Sequence, residues 1–431
     1  MIKRKLILIQ LNEINFDVIK LYSDKYNFKF FNKKNLDSLI ITTSEKEYHL
    51  LEPWIQWVSV YTGLSAKEHK IFRLGDNQKN SLIQIFENIE DNNLKVGAIC
   101  PMNAKNDLRK TKYFIPDPWS SSKPDNNYLN KLIFSKISKL VNNNSENSVS
   151  IIDLFFLLLI FLKFFRFNNL KSLLRIIFAL KKKWNKALML DYILNNIHLS
   201  YIYKYKPNFS SVFFNAGAHI QHHYFFSSKL LKNQNLKNPT WYINQEEDPI
   251  LDMIKFYDDI LIDYYNNNSY DILIATGLSQ VPYDREKYYY RLKKHERFLK
   301  ILNIDFKNVL PRMTRDFLIE FNNQEDLKKC LIRLEKINKL NNKNIFNYDI
   351  RKDTIFVTLS ISEKISRDTE LILDNNKKIN IYNEVSFIAL KNGMHCEKGY
   401  ILSKGDISHH IQSNNRHVKN INNSIKTYFN I

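Results

Sequence analysis

Residues 6–13 read LILIQLNE, and this stretch decides the class of fold. Its apolar residues follow one another without alternation, although successive side chains of a strand point to opposite faces of a sheet. Such a run predicts a strand that is covered on both faces. Six further runs of this kind, separated by helical patterns, are residues 39–43, 96–100, 212–215, 272–276, 355–359 and 385–390. We therefore predict an α/β fold with a largely parallel open sheet and helices on both faces.

Polar residues follow three of these runs. Asn12 and Glu13 follow the first, Asn215 begins the segment NAGAHIQHH at residues 215–223, and Thr276 ends the run at 272–276. Ligands of open α/β sheets bind beyond the carboxyl ends of the strands. We expect these groups to gather on one rim of the sheet.

The chain has 431 residues, 44% of them apolar, which is enough for a full core. We expect a single domain over residues 1–431, with a helical insertion or cap at 126–205. Within it, residues 151–165 read IIDLFFLLLIFLKFF, which is shorter than the roughly 20 apolar residues of a membrane span. A buried helix, an element on a membrane surface and a span stay open, and Lys181–Lys183 keep a peripheral membrane contact among the alternatives.

The formal net charge is +20, which favours anionic partners such as a small-molecule or glycan substrate. No nucleic acid is expected, because no nucleic-acid module accompanies the charge. Cys100, Cys330 and Cys396 are too few and too widely spaced for a disulfide framework, so we expect a reducing, cytoplasmic setting, with a membrane-associated position left open. The opening apolar run is short and continues into Asn12, so it predicts a strand instead of a signal peptide.

Three segments carry a resemblance to a known family. Residues 52–75 read EPWIQWVSVYTGLSAKEHKIFRLG, with a Thr-Gly-Leu turn before His69; the other two are residues 215–223 and the segment GMHCEKG at 393–399. Their order along the chain resembles the alkaline-phosphatase-like superfamily, which includes type I phosphodiesterases, nucleotide pyrophosphatases and sulfatases. The resemblance implies a metal-dependent hydrolase or transferase of phosphate or sulfate esters, and it suggests a role in surface polysaccharide or glycolipid metabolism.

The chain also departs from the family pattern. Asn12 stands where the family has a metal-binding Asp, and the nucleophile position falls at about Pro53, beside Glu52. The usual Ser-Asp-His-Gly after the fifth strand is replaced by Ala-Thr-Gly-Leu at 275–278. A usual two-metal site is therefore not expected. These losses support the alternative of a non-catalytic scaffold that binds an anionic glycan or nucleotide.

Imidazole and carboxylate groups suit zinc and related divalent ions. The expected cofactor is a divalent metal, either zinc or manganese, and its expected ligands are Asn12, Glu13, Asn215, His219, His223 and His395. The competing interpretation treats the histidines as ordinary core or surface residues.

The remaining candidates are one catalytic and three substrate-binding residues. Glu52 is the candidate catalytic carboxylate, although a carboxylate before Pro53 is also typical of a helix start. Arg312 and Arg315 are candidates for binding the substrate, because arginine forks suit phosphate and carboxylate groups. Thr276, at the end of a predicted strand, is the third candidate. A solvated helix face is the alternative for the arginines.

Overall fold

The computed structural model describes residues 4–120, 122–142, 151–166, 170–178, 181–231, 236–312, 315–337, 344–373, 378–411 and 416–431. The chain forms two compact units: Met1–Pro282 with Gly393–Ile431, called the sheet unit, and Tyr283–Asn392, called the inserted unit. The sequence predicted one domain over residues 1–431. The division arises because the inserted unit buries a hydrophobic core of its own, which runs from Tyr290 to Val385.

The sheet unit is built on seven described strands in one sheet. In chain order they are β1 Leu6–Leu11, β2 Ile40–Thr43, β3 Val96–Ile99, β4 Tyr113–Ile115, β5 Phe209–Phe214, β6 Asp271–Ala275 and β17 Lys398–Lys404. Their spatial order is β2-β17-β6-β1-β5-β3-β4. The strands from β6 to β4 are parallel to their neighbours, whereas β17 is antiparallel to both β6 and β2. The predicted largely parallel α/β sheet is thus confirmed.

Two antiparallel strands of the sheet unit lie directly before and after the inserted unit in the sequence. They are β7 Ser279–Pro282 and β16 Gly393–Cys396, with Gly393 opposite Pro282 and His395 opposite Gln280. The inserted unit therefore begins and ends at neighbouring positions of this pair.

Helices of the sheet unit cover the sheet. They are α1 Phe16–Ser23, α2 Lys33–Asp37, α3 Pro53–Thr62, α4 Ala66–His69, α5 Ile85–Asp91, α6 Tyr128–Asn142, α7 Ile151–Phe164, α8 Leu170–Phe178, α9 Asn185–Tyr205, α10 Ala216–Tyr224, α11 Pro249–Tyr265 and α15 Asn420–Phe429. The segment expected to be helical, 126–205, contains α6 to α9. No described helix is long and apolar enough to cross a membrane.

Central strand β5 shows that both faces are covered. Phe209 and Phe213 contact Phe86 of α5 and Trp57 of α3, respectively. The alternate residue Ser210 accepts or donates a hydrogen bond with His198 of α9 at 2.7 Å. Side chains of opposite faces thus meet different helices, which explains why every residue of β5 is buried.

The inserted unit is largely antiparallel. Its elements are β8 Tyr288–Leu292, α12 His295–Ile301, β9 Asn308–Pro311, β10 Asp316–Glu320, α13 Gln324–Ile337, β11 Phe346–Arg351, β12 Thr354–Leu359, β13 Glu370–Ile372, β14 Lys378–Asn380, α14 Ile381–Glu384 and β15 Val385–Leu390. They form a sheet of order β11-β12-β10-β9 and the pairs β13-β14 and β15-β8. The apolar runs at 355–359 and 385–390 are strands, as predicted, but they belong to this unit and not to the parallel sheet.

Candidate metal centre

Glu13 lies just beyond the carboxyl end of β1. Its backbone is left-handed, with φ of 59°, and its side chain is buried. The backbone N–H donates to Thr276 O at 3.1 Å, and the carbonyl accepts from Gln280 N at 3.1 Å and Gln221 Nε2 at 2.8 Å. Thr276, just after β6, together with groups of β7 and α10 therefore fixes the backbone of Glu13 on both sides of its Cα atom.

His222 is placed by α10, the helix that follows β5. Asp191 accepts from the Ala216 N–H at 2.9 Å and anchors the start of the helix. In the last turn of α10, His222 Nδ1 lies 3.2 Å from Gly393 O, and Nε2 lies 3.0 Å from Glu13 Oε2. A carbonyl oxygen can only accept, so this hydrogen bond places the proton of His222 on Nδ1.

His395 enters the same point from β16. Its Nε2 atom lies 3.1 Å from Glu13 Oε2 and 3.3 Å from His222 Nε2. Its Nδ1 atom lies 3.7 Å from Glu52 Oε2, at the start of α3. Each imidazole thus faces an acceptor with Nδ1 and the Glu13 carboxylate with Nε2, an arrangement that orients histidine ligands of metals in other proteins.

Gly393 allows this close packing of β16 against α10 and β7. A Cβ atom at this position would lie 2.2 Å from Gln280 Oε1 and 2.8 Å from the Gln221 carbonyl oxygen. The Gln280 side chain cannot easily move away, because its Nε2 donates to Glu13 Oε2 at 2.5 Å and to Ala218 O at 3.0 Å. Only glycine fits at this position without displacing groups that hold Glu13 and His222.

The three facing atoms fit a bound metal ion. Glu13, His222 and His395 offer ligand atoms within 4.8 Å of one another, and the described residues contain no second such group. The closest separations are 3.0, 3.1 and 3.3 Å. A tetrahedral zinc ion with bonds of about 2.0–2.1 Å separates its ligands by about 3.3 Å. An octahedral ion with bonds of about 2.1 Å separates neighbouring ligands by about 3.0 Å, so octahedral coordination also fits these separations.

The electrostatics of the cluster favour a positive charge at its centre. Burial by itself would raise the pKa of Glu13, but the charges of His395 and His222 and their hydrogen bonds hold that pKa well below its usual range. When His222 is neutral, with its single proton on Nδ1, its Nε2 lone pair faces a carboxylate oxygen; when His222 is charged, Nε2 carries a proton toward that oxygen. Two such atoms at 3.0 Å repel each other unless a proton or a metal ion lies between them.

Asn12 and Asn215 lie beside Glu13 and hydrogen-bond each other. Asn12 Nδ2 donates to Glu13 Oε1 and to Asn215 Oδ1, both at 2.9 Å. Asn12 Oδ1 accepts from Trp57 Nε1 at 2.9 Å. In this network the Asn12 oxygen points to the indole and its nitrogen points to the carboxylate, so the amide supports Glu13 instead of offering an oxygen to an ion.

His219, His223 and Thr276 were also candidate residues, and none of them belongs to the group formed by Glu13, His222 and His395. The rings of His219 and His223 meet edge to face at 4.6 Å between their centroids, and His219 is exposed. Thr276 is fully buried, and its hydroxyl accepts from Tyr400 N at 2.9 Å. Its carbonyl holds the Glu13 N–H, so the structure gives Thr276 contacts that position Glu13.

Arg312 and Arg315 belong to the inserted unit. The Arg315 guanidinium lies over the Tyr289 ring at 4.4 Å and donates to Leu359 O at 3.4 Å. Arg312 is exposed, and its backbone N–H donates to Asp316 O. Met313 and Thr314 between them lie outside the described residues. A role of either arginine in binding substrate stays a prediction.

His222 was not among the expected ligands, although it lies in the segment that contains two of them, His219 and His223. Ala218 and Gln221 are buried at helical spacing, whereas His219 is exposed. His222 follows Ala218 by four residues and therefore lies on the same side of α10. Ala216 and Gly217 are small and buried as well, so the burial of Ala218 and Gln221 in the structure, and not residue size, distinguishes His222 from His219 and His223.

No family model and no curated protein matches the chain. Among solved structures, phosphonoacetate hydrolase from Sinorhizobium meliloti 1021 in complex with phosphonoformate is 10% identical, with a TM-score of 0.41, over 99% of this chain and 96% of that chain. A mutant alkaline phosphatase from the Antarctic bacterium TAB5, with Mg bound, is 9% identical, with a TM-score of 0.41, over 100% and 99%. Human ectonucleotide pyrophosphatase/phosphodiesterase 5 is 9% identical, with a TM-score of 0.40, over 99% and 95%. With so few identical residues, what this chain does has to be argued from its own site.

Proposed function

We propose that the chain is a divergent member of the alkaline-phosphatase-like superfamily and a metal-dependent hydrolase or transferase of phosphate or sulfate esters. The observation that supports this most directly is the convergence of Glu13 Oε2, His222 Nε2 and His395 Nε2 at separations of 3.0 to 3.3 Å. Two imidazoles and one carboxylate with an open position form a ligand set typical of catalytic zinc. The proposed ion is zinc or manganese.

A metal ion held there would act as a Lewis acid toward an ester oxygen and would lower the pKa of water. Glu13, buried and held by Gln280, would fix the position of the charge. Glu52, whose side chain is about one third exposed, is the proposed acceptor of a proton from the attacking water. Because Pro53 begins α3 where the family's nucleophile would stand, we propose direct attack by water or an acceptor hydroxyl.

The substrate is proposed to be an anionic ester on a small molecule or a glycan, used in surface polysaccharide or glycolipid metabolism. The positive charge of the chain, +20, supports an anionic substrate. Cys100, Cys330 and Cys396 form no disulfide, which supports the proposal that the protein works in a reducing, cytoplasmic compartment.

The proposal is tested by measuring bound metal and ester hydrolysis in the same set of variants. His222→Ala and His395→Ala should each lower zinc or manganese affinity by about 100-fold or more and abolish hydrolysis of phosphodiester, phosphomonoester and sulfate ester substrates. His219→Ala is the matched control, because it removes an exposed imidazole from the same helix and should change neither quantity. Equal metal binding in the His222 and His219 variants would refute the proposed ligand set.

Two observations favour a second function, the binding of an anionic ligand without catalysis. The described site presents Pro53 where a nucleophile would stand, and Asn12 donates to Glu13 instead of binding an ion. A protein with this function would bind an anionic glycan or nucleotide and would lack hydrolysis with every added metal. Stoichiometric metal together with turnover would exclude it.

A further inference from the structure

Helix α7 exposes an apolar stripe to solvent. Phe155, Leu158, Leu159 and Leu162 are 55, 52, 43 and 59% exposed, and their spacing of i, i+3, i+4 and i+7 places them on one face. The other side of α7 packs on α9, where Phe164 meets Tyr201 at 5.5 Å between ring centroids. The fold therefore uses one apolar face of α7 and leaves a second one uncovered.

Helix α8 repeats this arrangement. Leu170, Leu174, Ile177 and Phe178 are 38, 40, 41 and 84% exposed, again at i, i+4, i+7 and i+8. The opposite side is fixed by the buried residues Leu173 and Ile176 and by Arg175, which pairs with Asp259 of α11 at 2.7 Å. Each of these two successive helices thus exposes an apolar face, and large exposed apolar patches in soluble proteins mark interaction surfaces.

Within residues 151–205 the exposed charges have one sign. Between residues 151 and 205 the only acidic residues are Asp153 and Asp191, and both are buried. Asp153 is also paired with Lys136 and Lys139. The exposed charged residues of this stretch are all basic, and those nearest the two helices are Lys163, Lys171, Lys181, Lys183 and Lys186.

We infer that the exposed faces of α7 and α8, called the lipid face, dock on the surface of an anionic bilayer. The Leu and Phe side chains would enter the boundary between headgroups and acyl chains, and the lysines would contact anionic headgroups. Helix α7 has 14 residues and is about 21 Å long, whereas a hydrocarbon core is about 30 Å thick, so the helix would lie along the surface.

The charge pattern selects a bilayer over a second copy of the chain. Association of two lipid faces would bring lysines together without exposed acidic partners from the same stretch, and like charges opposed in this way disfavour association. An anionic lipid surface supplies the missing negative charge over its whole area. This inference stands independently of the proposed metal site.

Vesicle sedimentation of the full chain tests the inference. The parent protein should sediment with vesicles of phosphatidylcholine that contain about one third phosphatidylglycerol, and it should bind pure phosphatidylcholine at least about tenfold more weakly. The double variant Leu158→Glu, Leu162→Glu should lower the partition coefficient at least about tenfold. Ile83→Glu is the matched control, because Ile83 is 60% exposed outside the lipid face and its loss should leave binding unchanged.

A second pair of variants examines the charge alone. Lys163→Glu, Lys171→Glu should weaken binding to the anionic vesicles about tenfold and leave binding to neutral ones unchanged. Circular dichroism and thermal melting verify the fold of each variant, and light scattering without vesicles measures the oligomeric state. Equal vesicle binding by the parent and the leucine variant would overturn the inference. The inference would also be overturned if the parent protein bound neither type of vesicle but formed a dimer, and the leucine variant did not form that dimer.

Discussion

Substitution of Gly393 by alanine should damage the proposed metal site without touching any of its proposed ligands. The added Cβ would lie 2.8 Å from the Gln221 carbonyl oxygen, roughly 0.7 Å below a normal van der Waals separation. It would also lie 2.2 Å from Gln280 Oε1, so either the Gln280 side chain or β16 has to move. Moving Gln280 disturbs its hydrogen bond to Glu13, and moving β16 shifts both His395 and the carbonyl that accepts from His222.

The size of the effect follows from these contacts. Overpacking of this kind costs about 1–3 kcal/mol of unfolding free energy. Loss of the groups that orient metal ligands typically costs about 10–100-fold in metal affinity. We expect Gly393→Ala to show both effects, a modest loss of stability and a zinc affinity that falls by about 10-fold or more.

Zinc titration by calorimetry and chemical denaturation without metal measure the two effects separately. The control is Gly97→Ala, because a Cβ on Gly97 would lie 2.3 Å from the Tyr113 ring, on strands away from Glu13. This variant should lose a comparable amount of stability and keep its zinc affinity. If Gly393→Ala kept the parent affinity while losing stability, the idea that Gly393 positions His222 and His395 would be refuted.

Two further predictions concern a proton acceptor and a buried imidazole. Glu52→Gln should lower kcat by about 100-fold or more, because it removes the basic carboxylate. Its metal affinity should stay within a few-fold of the parent, because Gln keeps an oxygen toward His395. An unchanged kcat in steady-state kinetics would contradict the role of Glu52 as proton acceptor. Burial lowers the pKa of His198 to about 3, against about 6.5 in an unfolded chain, so the unfolded state takes up a proton first as the pH falls. The free energy of unfolding of the sheet unit should therefore drop by up to about 5 kcal/mol between about pH 6.5 and pH 3, and His198→Gln should make this dependence on pH less steep. Tryptophan fluorescence measures unfolding of this unit, because all five tryptophans lie in it. An equally steep slope in His198→Gln would assign the pH dependence to other groups.

The central strands could be predicted from the sequence because burial on both faces leaves a simple pattern. Residues 6–11 and 212–214 are apolar at nearly every position, and the structure buries each of these positions. Strand β17 was not predicted because its apolar run is only three residues long, Tyr400 to Leu402, and the strand has a lysine at each end. Its place in the sheet follows from long-range pairing with β2 and β6, which a local pattern does not encode.

Residues 355–359 were wrongly assigned to the parallel sheet for a related reason, although they form a strand of the inserted unit. Strand β12 has an alternating burial pattern, with Ile355, Val357 and Leu359 buried, as expected for a strand with one solvated face. Phe356 on the other face made the run look continuously apolar. The structure covers that ring with the Arg351 guanidinium at 4.7 Å, so a long cationic side chain shields an aromatic residue on the outer face.

The pair of amides beside Glu13 bears on how many ions the proposed site would hold. A second carboxylate in place of Asn12 would face Glu13 Oε1 at 2.9 Å, and two negative charges at that distance need a further cation between them. Asn12 removes that need, because its Nδ2 donates to both Glu13 and Asn215, while Trp57 occupies its oxygen. The charges of one carboxylate and two neutral imidazoles then match a single divalent ion better than two. We therefore expect a purified, active protein to bind one metal ion per chain, since the residues that would hold a second ion hydrogen-bond one another instead.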